Sequence, residues 1–341
     1  MNHYDDRPAS SLVDLHGRRV RYLRLSVTDR CNLRCLYCWG GGGMRFIPHD
    51  DILRYEEMAR LVDVAVESGV EKVRLTGGEP LVRKNVLHLV ELVRKKHPAI
   101  DLRITTNGTL LESHVAGLRD LGVSTVNVSL DTFRREVFHE VTGRDFLPQV
   151  MAGMEAVLAA GLSLKVNAVA LRGVNDGELA TFVDFARNHR VDVRFIEFMP
   201  MGCGTRWNDA NFWPADDILA RVHDLADLRP VVPNKGGRGP ARLFDIVGGQ
   251  GRFGVITPMS DHFCGDCNRL RVTSDGRLRT CLFADREYRL RPLLRHPKLG
   301  VEAVRRVIAL ANRRKPLGFR LLERMRPGLA VAERRMTAIG G

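Results

Sequence analysis

Stretches rich in β-branched residues recur along the first two-thirds of the chain, each followed by a longer segment with apolar residues at helical spacing. "YLRLSVT" leads, and a helical segment from Asp50 to about Ser68 follows it. "EKVRLT" precedes the helix "KNVLHLVELVRKKH", and "DLRITT" precedes a helix near Glu112 to Leu121. "STVNVSL" leads into helical stretches that end at Ala160. "SLKVNAVA" and "VDVRFIEF" complete six strands, with "DGELATFVDFARNH" between them. Strands alternating with helices of this length predict an α/β fold, a parallel sheet with helices outside. Six such units suit a partial (β/α)6 TIM-like barrel. A doubly wound open sheet is the alternative, and it is weakened because no glycine-rich dinucleotide fingerprint follows the first strand.

The pattern changes after about Leu228. "PVVPNKGGRGPAR" reads as loop, and "ARLFDIV", "GRFGVIT", "NRLRVTS" and "RLRTCLF" read as short strands joined by turns such as Ser274-Asp275-Gly276. This predicts a barrel over residues 1–228, with 1–20 as an N-terminal extension, and a smaller C-terminal α+β module over 229–341. Beyond the β/α alternation there is no internal repeat. The run Gly40 to Gly43 is the one low-complexity tract.

The chain has 341 residues, 44% of them hydrophobic, enough for a sizeable core. No stretch approaches the ~20 uninterrupted apolar residues of a membrane span. The first residues, "MNHYDDRPASSLVDLHGRR", lack the apolar centre of a signal peptide. The expectation is a soluble, cytoplasmic protein with no membrane partner. The formal net charge is +13, and from Asp285 to Gly341 there are 15 Lys/Arg against 5 Asp/Glu. Such an excess suits an anionic partner. Most of these arginines, however, lie among Leu and Val at helical spacing, as in "VEAVRRVIALANRRK", and read as a solvated helix face. Aromatic residues are sparse there, so no stacking surface for nucleic acid is expected.

The seven cysteines change the picture most. Six fall into two triplets, Cys31/Cys35/Cys38 and Cys264/Cys267/Cys281, and Cys203 stands apart. In a reducing compartment such groups point to metal or redox chemistry rather than disulfides. The first triplet is C-x3-C-x2-C, whereas structural zinc sites usually pair cysteines as C-x2-C and complete a tetrahedron. A four-iron, four-sulfide cluster offers four iron corners, so three thiolates leave one iron open to a small molecule. The triplet follows the first strand, where a barrel carries its chemistry. A zinc loop or three unrelated thiols is the plainer reading of the first triplet, and near the second triplet His262 could complete a zinc site. Arg24 and Arg74 lie on neighbouring strands and Lys165 on a later one. Arg269 and Arg271, two apart on a strand, share a face just beyond Cys267. Taken singly, each arginine also reads as a surface or ion-paired residue.

C-x3-C-x-aromatic-C, with Tyr37 as the aromatic residue, resembles the signature of the radical S-adenosylmethionine superfamily. "GGEP" at Gly77 to Pro80 falls where that superfamily places a turn near the methionine amino group. The second triplet in "FCGDCNRLRVTSDGRLRTCLF", the end "MTAIGG", and "RLSVTDRCN", "RLTGGEPL", "TTNG", "NVSLD", "LKVNAV" and "RFIEFMP" sharpen the likeness. From about Tyr22 to Gly341 the chain resembles the MoaA family, the GTP 3′,8-cyclases of molybdenum cofactor biosynthesis. One departure stands out: where the family usually reads Met-Pro after the third cysteine, this chain has Trp39 and Gly40 to Gly43.

The resemblance implies two [4Fe-4S] clusters, one on Cys31, Cys35 and Cys38 and one on Cys264, Cys267 and Cys281. It implies an S-adenosyl-L-methionine site lined by Tyr37, Gly78, Ser129 and Met199. It assigns GTP to Arg24, Arg74, Thr105, Lys165, Arg269, Leu270 and Arg271, and a catalytic, inserted tail to Gly340 and Gly341. The implied reaction removes hydrogen from ribose C3′ and joins C3′ to guanine C8. The implied partners are a flavodoxin- or ferredoxin-like electron donor, a cyclic pyranopterin monophosphate synthase downstream, and a second copy in a homodimer. A peptide-modifying radical enzyme with an auxiliary cluster is the alternative within the superfamily. A non-enzymatic protein that binds zinc and nucleic acid is the alternative outside it.

Overall fold

The computed structural model describes residues 11–39, 46–202, 205–232, 239–323 and 330–340. Six β/α units form as the pattern predicts. Their strands are β1 (Tyr22–Ser26), β2 (Lys72–Thr76), β3 (Asp101–Thr106), β4 (Thr125–Ser129), β5 (Ser163–Ala170) and β6 (Val191–Glu197). They pair in that order, all parallel. The remaining strands are β7 (Leu228–Pro230), β8 (Ala241–Ile246), β9 (Arg252–Ile256), β10 (Arg269–Val272), β11 (Arg277–Arg279) and β12 (Tyr288–Arg289).

These later strands do not build a sheet of their own. They extend the first one at both edges, in the order β12-β11-β10-β1-β2-β3-β4-β5-β6-β9-β8-β7. β10 adds parallel to β1, and β9 adds parallel to β6. The parallel section therefore has eight strands, β10, β1 to β6 and β9, and an antiparallel strand follows at each end. β9 and β10 are consecutive in sequence yet lie at opposite ends of that section, joined by residues 257–268.

Side chains alternate across each strand, and the two faces differ sharply in chemistry. Leu23, Leu25, Val73, Leu75, Leu102, Ile104, Val126, Val128, Leu164, Val166, Val193 and Phe195 point one way and are buried in the main core with the surrounding helices. Each such side chain contributes roughly 1.5–3 kcal/mol. In helix Tyr55–Glu67, Met58, Leu61, Val62 and Ala65 form the buried stripe. Its first turn is fastened by the Glu57 carboxylate, which accepts the Arg54 N–H at 2.7 Å and the Arg295 Nε–H at 2.6 Å.

The other face carries Arg24, Arg74, Arg103, Thr105, Asn127, Lys165, Asn167, Asp192 and Arg194, which the register aligns strand by strand. Arg74 and Arg194 lie four strands apart, ~19 Å if the sheet were flat. Burial holds the Arg194 guanidinium below its usual value, and Arg74 adds repulsion, as expected where the sheet curls and these residues line its inner side. A barrel filled by branched apolar side chains has a solid centre. This one has a polar, cationic lumen.

Candidate active site

The first triplet sits at the lumen's upper rim, in the loop after β1. The Cys31 thiol accepts the Leu33 N–H at 3.4 Å and lies 3.7 Å from Asn107 Nδ2. Cys35 and Cys38 flank Tyr37, whose hydroxyl donates to Asp131 Oδ2 at 2.5 Å. Asp131 Oδ1 accepts the Val169 N–H at 2.8 Å, which ties this loop to the ends of β4 and β5. Burial raises all three thiols, Cys31 to about 11 and Cys38 to about 12. Cys35 is raised further by the nearby Cys38 and Cys31, so the thiols are mutual neighbours. Metal ligation would release their protons.

The "GGEP" segment explains itself by close approach. It runs along the backbone entering the cysteine loop: Gly78 N donates to Thr28 O at 2.7 Å and Glu79 N to Arg30 O at 2.8 Å. A Cβ on Gly77 would stand 2.6 Å from Thr28 O, and one on Gly78 would collide with Arg30 O. Only glycine fits at either position. Glu79 is fully buried and receives the Leu81 N–H, the Thr106 hydroxyl and the Asn107 N–H. Burial outweighs these donors and pushes its carboxyl up to about 7.

The second triplet lies below β10 and β11. Cys264 lies in the short 3-10 turn Phe263–Asp266, Cys267 directly follows it, and Cys281 follows β11. A Cβ on Gly318 would meet Cys281 Sγ at 3.0 Å and Cys264 Sγ at 3.3 Å. Two thiols thus converge on a spot kept open by a missing side chain. Burial would raise Cys267, but Arg269 and Lys315 bring it down to about 6. His262, the candidate zinc ligand, turns Nδ1 to Pro258 O at 2.9 Å and stacks on Phe319. Among the described residues no three His, Cys, Asp or Glu side chains close on a single-ion position. The fit of both triplets to an iron–sulfur group rests on their thiol chemistry and on the Gly318 cradle.

Between the triplets the lumen is crowded with cations. Burial lowers Arg24 to about 10, with Arg74 and Arg269 adding repulsion. Burial also lowers Arg271 well below its usual value, helped by Arg24 and Arg269. Burial alone would raise Tyr22, yet the surrounding Arg74, Arg24, Arg269 and Arg271 hold its phenol at about 8. Arg74 Nη1 donates to Thr105 Oγ1 at 3.1 Å. Across the lumen, Asp192 gathers Lys165 Nζ at 2.9 Å, Arg194 Nη2 at 2.6 Å and Arg252 Nε at 2.6 Å. Arg74 Nε, Arg194 Nε, Asn127 Oδ1, Asn167 Oδ1 and Thr76 Oγ1 are buried with no hydrogen-bond partner among the described residues. Such atoms are costly unless a ligand meets them.

The expected residues are thus largely brought together. Arg24, Arg74, Thr105, Lys165, Arg269 and Arg271 lie on the lumen face of β1, β2, β3, β5 and β10. Leu270 is the correction: it alternates to the opposite face and is buried in the apolar core, so its side chain does not face the lumen. Ser129 ends β4 opposite Asn167, and Met199 packs beside Met201, Phe283 and Ile339. Gly340 lies inside the barrel. Its carbonyl accepts from Arg271 Nη1 at 2.6 Å, and a Cβ there would strike Thr76 Oγ1. Gly341, Cys203 and Gly40 to Gly43 lie outside the described residues. Sequence reasoning missed Asp192, Arg194, Asn127 and Asn167; charged or amide residues at every second position of "VDVRFIE", "TVNVS" and "LKVNA" were the available signal. A separate open depression lined by Asn85, His88, Glu91 and His114 shares no residue with lumen or triplets.

Curled parallel sheet, rim cysteine triplet and glycine-tight second loop define the class, a radical S-adenosylmethionine protein. The Radical SAM superfamily model matches residues 25–186, and a model described as Molybdenum Cofactor Synthesis C matches residues 191–321. The GTP 3′,8-cyclase of Geobacter sulfurreducens is 45% identical over 307 residues, 89% of this chain and 93% of its own. That of Pelotomaculum thermopropionicum is 42% identical over 333 residues, 97% of this chain and 100% of its own. The chain belongs to the GTP 3′,8-cyclase family. The solved structure of Streptococcus suis SuiB bound to S-adenosylmethionine has a TM-score of 0.61 at 14% identity, covering 95% of this chain and 78% of that one, a likeness of fold alone.

Proposed function

We propose that this chain is a radical S-adenosylmethionine GTP 3′,8-cyclase, converting GTP to (8S)-3′,8-cyclo-7,8-dihydroguanosine 5′-triphosphate at the first step of molybdenum cofactor biosynthesis. The observation that carries the reading is a cationic lumen lying between two cysteine triplets. S-adenosylmethionine and an iron–sulfur cluster belong to the reading at the level of the superfamily. The finer assignment is two [4Fe-4S] clusters, with Cys31, Cys35 and Cys38 holding one and Cys264, Cys267 and Cys281 the other. When bound, the first cluster supplies the electron that cleaves S-adenosylmethionine.

The chain's own residues then position and shield. Tyr37, braced by Asp131, and Gly78, Ser129 and Met199 would line the S-adenosylmethionine side. Arg24, Arg74, Arg269 and Arg271 would hold the triphosphate and guanine side, since guanidinium forks bind phosphate oxygens in pairs. Thr105 orients Arg74, and Lys165 answers from the far wall. Gly340, and Gly341 beyond it, would close the lumen over the reacting atoms, where small misplacements cost ~100-fold in rate. Residues 1–228 would supply the six β/α units, and 229–341 would carry the second cluster and substrate contacts while extending the same sheet at both edges. A flavodoxin- or ferredoxin-like donor, a downstream cyclic pyranopterin monophosphate synthase, a homodimer and a cytoplasmic location complete the proposal. Among the described residues no helix is long and apolar enough to cross a membrane.

The test is anaerobic incubation of reconstituted protein with GTP deuterated at C3′, S-adenosylmethionine and reductant. Expected are roughly eight irons per chain, deuterium in 5′-deoxyadenosine, and a cyclised nucleotide by mass. Deuterium retained in the nucleotide while 5′-deoxyadenosine accumulates would sink the assigned abstraction.

A further inference from the structure

The segment before β1 carries no recognised motif, yet it holds two buried charged side chains. Asp14 is 6% exposed and Arg18 is 5% exposed. Arg18 Nε donates to Asp14 Oδ2 at 2.6 Å, and Asp14 Oδ1 also accepts the N–H groups of His16 and Arg18 at 2.8 and 3.0 Å. That carboxylate fixes the guanidinium plane. The remaining nitrogens then reach away from their own segment. Nη1 donates to the carbonyl of Cys264 at 2.8 Å, and Nη2 to the carbonyls of Lys315 and Pro316 at 2.7 and 3.1 Å.

Lys315, 2% exposed, completes the figure from the other side. Its Nζ donates to the carbonyls of Cys267 at 2.6 Å and Arg269 at 2.8 Å. Three distant stretches are therefore tied at one point: residues 14–18, the second cysteine loop at 264–269, and residues 315–318. The last of these ends at Gly318, the open spot on which the Cys264 and Cys281 thiols converge. Of the five carbonyls these two cations engage, two belong to cysteines of the second triplet. Charge points the same way. Burying two cations is expensive unless anions compensate, and Asp14 supplies one negative charge beside Arg18. Thiolates of the adjacent triplet would supply more.

We propose that Asp14, Arg18 and Lys315 form a clamp that fixes the backbone of the second cysteine loop and offsets its negative charge when an iron–sulfur cluster is bound there. The clamp rests on the two-cluster reading above. Its members are positioning residues, since they act through the carbonyls of Cys264, Cys267 and Arg269. Arg18 cannot be replaced by lysine, because a single ammonium cannot span Asp14 and three carbonyls held by a planar fork.

The test uses the full chain with Cys31, Cys35 and Cys38 changed to Ala, so that iron reports the second triplet alone. Iron per chain, the electron paramagnetic resonance signal of the reduced cluster, its midpoint potential and the rate of iron loss to a chelator are measured. Arg18→Met, Arg18→Lys and Lys315→Met should each lose iron ~10–100-fold faster. Lys315→Met should also move the midpoint potential to a more negative value, which a merely structural contact would not do. Unchanged retention and potential overturn the clamp. Iron absent from the background protein itself overturns the two-cluster reading, and the clamp with it. The same substitutions in the otherwise unaltered chain should leave the Cys31/Cys35/Cys38 cluster and S-adenosylmethionine cleavage intact. Loss of both would make these residues general supports of the fold and sink the proposal.

Discussion

Asp192 shows how a single residue sets the charge state of the lumen. Burial would raise its carboxyl, but Arg194, Lys165 and Arg252 hold it down to about 2. A depressed carboxyl contributes stability above its unfolded value near 4, of about 2 kcal/mol, and that contribution is lost as pH falls through about 2. Lys165 runs in the opposite sense. Burial, then Arg194, lowers its ammonium to about 8 despite Asp192. Between pH 8 and its unfolded value near ~10.4 the unfolded chain binds the extra proton, so stability from this group rises with pH across that window. A triphosphate arriving beside Lys165 restores the proton. GTP binding near pH 8 should therefore take up protons, seen as a dependence of calorimetric binding heat on the buffer's ionisation enthalpy. Lys165→Met should reduce that dependence, leaving the share of Tyr22, which is also held at about 8, and a wild-type heat independent of buffer would remove Lys165 from the nucleotide site.

At the scale of elements, the tail is tied down well before its glycines. Residues 330–340 run beside 200–202, with Val331 N donating to Pro200 O at 2.8 Å and Gly202 N to Ala332 O at 2.9 Å. Arg334 then pairs with Asp275 at 3.2 Å and Glu287 at 2.9 Å. Its charge is thus committed to the β11 region rather than to the lumen. Deleting Gly340 and Gly341 should leave iron content intact while cyclised product falls ~100-fold. Arg334→Met should give a smaller loss, because the backbone pairing at 200–202 remains. Full cyclase activity after the deletion would make Gly340 an ordinary chain end. The strands, helices and both triplets were legible because their signals are local: β-branched runs, helical periodicity and cysteine spacing. What the chain hid is pairing at long sequence separation. Asp14 and Arg18 look like any i,i+4 ion pair until residues 264 and 315 are brought beside them. Arg194 reads as a strand's exposed charge until the sheet curls. The family resemblance assigns Leu270 to the nucleotide, yet strand alternation turns its side chain to the core.

At the scale of the molecule, twelve strands among the described residues make one sheet, and the segments after 228 guard both its edges. A fragment ending at residue 228 would leave β1 and β6 without β10 and β9. It would also strip the helix Tyr55–Glu67 of its Arg295 contact and of the packed helix Gly300–Arg313. Bare parallel edges of this length invite association. The fragment should aggregate, or show native-state amide exchange far faster than the full chain in β1 and β6. A soluble, well-protected fragment would show that the barrel stands alone. The connection between β9 and β10 carries a mechanical consequence. The eight parallel strands form a hoop that hydrogen bonds do not close, and residues 257–268 are the strap drawn across its opening. Cys264 and Cys267 sit on that strap, while Cys281 belongs to the rim. A metal group gripped by all three, as proposed, would be a buckle: fastened, it would set the girth of the hoop, and with it the distance between the lumen's opposite walls.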